Sequence, residues 1–375
     1  MPKVSIVLPT YNGEKYIESS IDSVLNQTFT DFELIIVNDC STDSTPKIIE
    51  DFTKKDNRIR VIHNKENKKL PEALNIGFRE AKGEYLSWTS DDNLYLPEAF
   101  ATMVKFLDEN KDVYLVCGDS KLIDDKGEFM GDIPSYSNDT IYINDYLGSS
   151  FLYRREVIND IGEYDTSMFL VEDYDYWVRL YNKYGYIHRI PKCLYFYRIH
   201  GNSLTSTRVK DIRNQLNKLR EKNGIWKYYE NKGELPFELY YDYLKYKNIN
   251  FDFINKVWAK FPGLKTEYEN LKNNGINKDI IIFGAGLKGK EANNVFGDKV
   301  KFFVDNNKNK VGSVIDGKRI ISFEELLKMH DEYDIIIAVN PVMSLDIMKQ
   351  LLEKGINHFI SWNIYEIILE GRKLW

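Results

Sequence analysis

Ser90-Asp91-Asp92-Asn93 sets two adjacent carboxylates directly after the apolar run Glu84–Thr89. Carboxylate oxygens suit a hard divalent cation, Mg²⁺ or Mn²⁺, which keeps several waters and shares the phosphates of a bound nucleotide. The same pair, followed by Leu94-Tyr95-Leu96-Pro97, fits the start of a helix equally well. A second acidic group, Glu172-Asp173-Tyr174-Asp175, offers general bases, and acids are also favoured at helix N-termini by the macrodipole. Two further polar clusters are Pro9-Thr10-Tyr11-Asn12-Gly13 and Asn38-Asp39-Cys40-Ser41-Thr42-Asp43. Each alone is ordinary turn or capping chemistry. Arg198 and His200 add a guanidinium suited to phosphate and an imidazole suited to a metal or a phosphate.

What must position these groups is legible in the apolar periodicity. Short apolar runs alternate with helical patterns over the first 120 residues, the signature of a parallel sheet covered on both faces. Strands are expected at Val4–Leu8, Leu34–Asn38, Ile59–His63, Tyr85–Thr89 and Val113–Gly118. Helices are expected between them at Glu14–Asn26, Ser44–Asp56, Pro71–Ala81 and Pro97–Asn110. Ligands of such sheets bind beyond the carboxyl ends of the strands. The clusters after the first, second and fourth strands therefore converge on one rim.

Composition narrows the class. A chain of 375 residues suggests two or three domains, and 43% hydrophobic content is ample for their cores. The net charge of −6 advertises neither nucleic acid nor an anionic membrane surface as partner. The N-terminus does not read as a signal peptide and no apolar run approaches a membrane span, so the expectation is a cytoplasmic protein with at most peripheral membrane association. Cys40, Cys117 and Cys193 are widely spaced and contain no CxxC pair, which reads as reduced thiols. The 26 tyrosines suit carbohydrate faces and core packing alike.

Six blocks in order resemble the family-2 nucleotide-sugar glycosyltransferases of GT-A fold. They are Val4–Asn12, Val37–Asp43, Ala73–Gly77 running to Ala81–Tyr85, Ser90–Asp92, Val171–Trp177 and Tyr197–Leu204, spread over about 205 residues. The resemblance implies an inverting, metal-dependent transfer from a UDP-sugar to an acceptor hydroxyl of a cell-surface glycan, a lipid-linked glycan or a protein. Pro9, Thr10, Tyr11, Asn12 and Asp39 would hold the nucleoside, with Asp39 on the base. Ser90, Asp91 and Asp92 would meet the diphosphate, and Arg198 and His200 would supply further contacts to it. Asp91, Asp92 and His200 would ligate Mn²⁺ or Mg²⁺. Asp173 would be the catalytic base, with Glu172 beside it. The chain departs from the family at two positions: Thr89 stands where the Asp-x-Asp motif begins, and Cys40 stands where glycine is usual, which requires a side chain to be tolerated in that turn.

The remainder divides into two parts. Residues 206–277 are rich in Lys, Glu, Asn and Tyr at helical spacing and read as a helical connector whose tyrosines pack between domains. Residues 278–375 open on Asp279–Phe283 and Gly284-Ala285-Gly286-Leu287-Lys288-Gly289, a GxGxxG between strand and helix. Val300–Asp305 and Tyr333–Asn340 supply later strands, the first ending in an acid. The expected architecture is α/β: a GT-A type, Rossmann-like mixed sheet over 1–205, the connector over 206–277, and a smaller Rossmann-like domain over 278–375 compatible with homo-oligomer formation. No Tyr-x-x-x-Lys follows the glycines, so nucleotide binding, a partner platform and simple close packing all remain open for this segment. Two other functions stay in view: a non-catalytic nucleotide-sugar-binding regulator, favoured by Thr89, and an NAD-dependent sugar-modifying enzyme acting through residues 279–375.

Overall fold

The chain's N-terminal apolar run, Val4–Thr10 (β1), is buried at every position and lies between two parallel partners. In the computed structural model, which describes residues 1–133, 135, 138–145, 147–244, 250–273, 275–339 and 341–369, the chain forms two compact units, Met1–Ile225 and Trp226–Trp375. In the first, β1 is flanked by Phe32–Asn38 (β2) and Tyr85–Trp88 (β4), and β2 is followed at the edge by Ile59–His63 (β3). Val4, Ile6 and Leu8 point to one face, where the helices Ile17–Leu25 (α1), Thr45–Thr53 (α2) and Ala99–Glu109 (α4) bury apolar stripes. Val7 and Val37 point to the other and meet Leu70–Glu80 (α3), which approaches so closely at Gly77 that an added Cβ would lie 2.4 Å from Val7 Cγ1. The alternation of side chains along a strand thus serves both faces.

Beyond β4 the sheet becomes mixed. Leu94–Tyr95 (β5), Leu115–Ile123 (β6), Phe129–Ile133 (β7), Phe151–Arg154 (β8) and His188–Arg198 (β9) complete the order β3-β2-β1-β4-β8-β6-β9-β5, with β7 on β6. The fifth expected strand, Val113–Gly118, forms as the longer β6 and is separated from β4 by the antiparallel β8. The antiparallel pairing of β5 with β9, Leu94 opposite Phe196, brings the segment after Arg198 back to the loop that carries Asp91 and Asp92. Glu156–Ile161 (α5) and Glu172–Tyr184 (α6) follow β8.

The second unit is a six-stranded sheet: Asp279–Phe283 (β10), Val300–Val304 (β11), Val314–Ile315 (β12), Lys318–Ile321 (β13), Tyr333–Ile337 (β14) and Phe359–Ser361 (β15), in the order β12-β13-β11-β10-β14-β15. All pairings but β12–β13 are parallel. The segment expected as a connector is divided: residues 206–225 belong to the first unit and 226–277 to the second. There Tyr240, Tyr241 and Tyr243 are buried; Trp258 Nε1 donates to Tyr240 Oη (3.0 Å). Lys245 and Tyr246 of the tyrosine run and Asn340 of the last strand run lie outside the described residues. Gly284, at φ +119°, could not carry a side chain, because a Cβ would fall 2.5 Å from the Ala338 carbonyl oxygen. Asp305 Oδ2 accepts from the Ala285 amide (3.1 Å) and from Lys310 Nζ (2.9 Å), and Asp305 Oδ1 from the Asn307 amide (2.9 Å).

Candidate active site

The parallel register of β2, β1 and β4 sets their carboxyl ends side by side. Asp39 N donates to Thr10 O (2.9 Å) and Thr89 N to Val7 O (3.0 Å), which fixes the three following loops against one another. Asn12 clasps the second loop: its amide donates to Ser41 Oγ (2.9 Å) and its Oδ1 accepts from Thr42 N (2.8 Å). Asn12 (φ 55°) and Cys40 (φ 67°) are both left-handed, the conformation glycine adopts without strain. Cys40 thus occupies the backbone geometry that makes glycine usual there.

Asp39 is 3% exposed, and its carboxylate accepts from Asn64 Nδ2 (2.7 Å) and the amides of Lys68 (2.8 Å) and Lys69 (2.9 Å). A carboxylate has about four acceptor positions, so these bonds leave little of it free. Asp39 therefore fixes the 64–69 loop as well as bordering the rim. Pro9 is buried within β1, whereas Tyr11 is half exposed at the rim.

Asp91 and Asp92 are half-buried in the turn after β4. Asp91 Oδ2 accepts a short hydrogen bond from Thr10 Oγ1, and an alanine Cβ at position 13 would lie 2.2 Å from that oxygen. Burial, and next the charge of Asp92, push the Asp91 carboxyl up to about 7. Asp92 Oδ2 faces His200 Nε2 at 3.0 Å, while Asp92 Oδ1 is buried with no hydrogen-bond partner. Two neighbouring carboxylates, one orphaned oxygen and an imidazole are a donor set that fits a divalent cation, because one or two carboxylates plus phosphates suffice for Mg²⁺. Ser90 lies beside them, its carbonyl accepting from Ser20 Oγ (2.8 Å). Thr89, which starts the motif, is turned away: its Oγ1 bonds Tyr195 Oη (2.7 Å) in the core.

Arg198 is 6% exposed. Its Nε donates to Asp92 O (2.9 Å), its Nη1 to Asp124 O (3.1 Å), its amide to Asn93 Oδ1 (2.8 Å), and its guanidinium stacks on Tyr16. Most of this side chain holds the Asp92 turn in position. Tyr16 also packs on the His200 ring at 5.1 Å.

The acids at the start of α6 occupy three environments. Glu172, 3% exposed, accepts from the Leu170 amide (2.7 Å), and burial followed by the Asp173 charge pushes its carboxyl up to about 8. Asp175 is fully buried and satisfied by Arg179 Nε (2.9 Å), Lys222 Nζ (2.8 Å) and Asn223 Nδ2 (2.9 Å). Asp173 lines a cavity of ≈320 Å³ together with Trp88, Asp145, Gly148, Tyr195 and Tyr197. Burial raises its carboxyl above the ordinary range. Asp145, absent from the sequence reading, is held well above the usual carboxylate range by burial and then by Asp173. No periodicity or spacing marks Asp145; only the fold brings it to the cavity.

A rim of nucleotide-type loops, an acidic turn faced by histidine, and an acid-lined cavity on a mixed α/β sheet define a transferase of GT-A fold. The sequence profile described as Glycosyl transferase family 2 matches residues 5–162. An uncharacterized glycosyltransferase of Rickettsia typhi is 33% identical over 237 residues, covering 60% of this chain and 70% of the relative. EpsJ of Bacillus subtilis, an uncharacterized glycosyltransferase, is 30% identical over 226 residues, covering 56% and 65%. The chain belongs to the family-2 glycosyltransferases. Among solved structures, S. aureus TarS 1–349 in complex with UDP-GlcNAc shares the fold at TM-score 0.50 and 20% identity, over 72% of this chain and 76% of that one. Residues 276–359 match the profile described as C2185-like, N-terminal. Among the described residues no helix is long and apolar enough to cross a membrane.

Proposed function

We propose that the first unit transfers a sugar from a UDP-sugar to an acceptor hydroxyl with inversion at the anomeric carbon. The observation that carries this reading is the separation of two acidic centres: the Asp91–Asp92–His200 group at the nucleotide rim, and Asp173 in the adjoining cavity. Thr10, Tyr11, Asn12 and Asp39 border the nucleoside. Asp91, Asp92 and His200 would hold Mn²⁺ or Mg²⁺, which when bound neutralises charge on the leaving diphosphate. Arg198 acts as a positioning residue through the Asp92 carbonyl. Asp173 accepts the acceptor's proton while the new C–O bond forms at the anomeric carbon and the bond to the β-phosphate oxygen breaks, so UDP departs from the opposite face. Burial and the Asp173 charge hold Glu172, beside it, toward its neutral form. The UDP-GlcNAc held by TarS supports a uridine donor.

Asp173→Asn tests the base. Turnover falls at least about a hundredfold, the usual share of general-base catalysis, while UDP binding is retained. Normal turnover in the variant would assign the proton to another group.

A further inference from the structure

We propose that the second unit carries a transition-metal site formed by His330, Asp331 and His358. The chain has five histidines, and two of them, distant in sequence, meet here. His330 and Asp331 lie in the short turn His330–Glu332 that enters β14, and His358 immediately precedes β15. The parallel pairing of these strands, Ile335 opposite Phe359, draws their two entries together at the end of the sheet opposite the Gly284 loop. One ligand atom from each of the three side chains lies within 4.8 Å of the others, the one such group among the described residues.

The local bonding favours a metal over a plain ion pair. His358 Nε2 lies 2.8 Å from the His330 carbonyl oxygen; a carbonyl only accepts, so Nε2 carries the proton and Nδ1 the lone pair. Donation of the second ring N–H to a backbone carbonyl is the arrangement that orients metal-binding imidazoles. His330 Nδ1 is buried with no hydrogen bond, and its near neighbour is Asp331 Oδ1 at 3.2 Å. Lys278 Nζ donates to the Asp331 carbonyl (2.6 Å), which fixes the turn's backbone. The Asp331 carboxylate is 89% exposed and leaves an open side for water and for entry of the ion. Two imidazoles and one carboxylate suit Zn²⁺ or a neighbouring late divalent ion, unlike the oxygen-rich turn at Asp91. Bound there, the ion clips together the two strand entries.

Calorimetric titration of the chelator-stripped full chain with ZnCl₂ tests this. The expected result is an equivalent, distinct from any held at Asp91 and Asp92, that is kept in His200→Gln and weakened at least about tenfold in both His330→Gln and His358→Gln. An unchanged number and affinity of equivalents in both of these variants, or loss of all binding with His200→Gln, overturns the proposal. The wild-type chain gives a measurement independent of variant folding: Co²⁺ in place of Zn²⁺ shifts the NMR signals of His330 and His358, and unshifted signals overturn it.

Discussion

Glu172, Asp173 and Asp175 stand within four residues, yet their surroundings divide them into a buried acid held toward its neutral form, a cavity-lining acid and an acid paired with Arg179 and Lys222. Sequence alone marks the cluster but not the division, because burial and partners arriving from Leu170, Arg179 and Lys222 decide it. Asp145 extends the same logic. It shares the cavity with Asp173, so two like charges oppose each other's ionisation, and their titration belongs to the pair. A base works only when deprotonated, so the carboxyl raised by burial predicts a turnover that increases with pH. The acid limb of a pH–kcat profile therefore lies above the ordinary carboxylate range, because burial of Asp173 sets it. A limb at the ordinary carboxylate position would show that Asp173 is not the base.

The loops after β1, β2 and β4 were expected to share a rim from chain order alone, and parallel register delivers that arrangement. The mixed half was less legible. The insertion of β8 between β4 and β6, and the pairing of β5 with β9, are long-range choices that local patterning does not encode. They are nevertheless what bring Arg198 and His200 to Asp92. The departure at Cys40 resolves as a left-handed cysteine, and that at Thr89 as a hydroxyl turned to the core. The first loop also contains a tight fit that spacing could not reveal. Gly13→Ala drives a methyl group into Asp91 Oδ2, so transfer activity falls at least about tenfold while the circular dichroism spectrum is unchanged. An active alanine variant would mean that the turn after β1 relaxes without disturbing Asp91.

At the scale of the whole molecule, two sheets carry two kinds of glycine-marked loop, and among the described residues the first joins its loops to Asp91, Asp92 and His200. In the second unit Glu267 is fully buried, bonded by Tyr241 Oη (2.9 Å) and the Ser361 amide (3.1 Å), and burial pushes it from 4.5 up to about 8. The folded value exceeds the unfolded one, so its contribution to stability is complete in acid and is lost as pH rises through about 8. Glu267→Gln keeps the shape without the titration; it raises the melting temperature by a few degrees above about pH 8 and leaves it nearly unchanged below about pH 5, at roughly 2–4 °C per kcal/mol. Equal shifts at both pH values would assign the effect to packing. The GxGxxG segment was legible as strand, turn and helix, whereas its ligand was not, since Gly284 serves close packing and Asp305 already bonds the Ala285 amide. Thermal melting of the full chain with UDP plus Mn²⁺, UDP alone, and NAD⁺ decides between donor binding in the first unit and dinucleotide binding in the second. UDP stabilises the chain only with the metal, and the effect is lost in Asp91→Ala, because a ligand of the native state raises its midpoint. Stabilisation by NAD⁺ with no response to UDP and Mn²⁺ would contradict donor binding in the first unit.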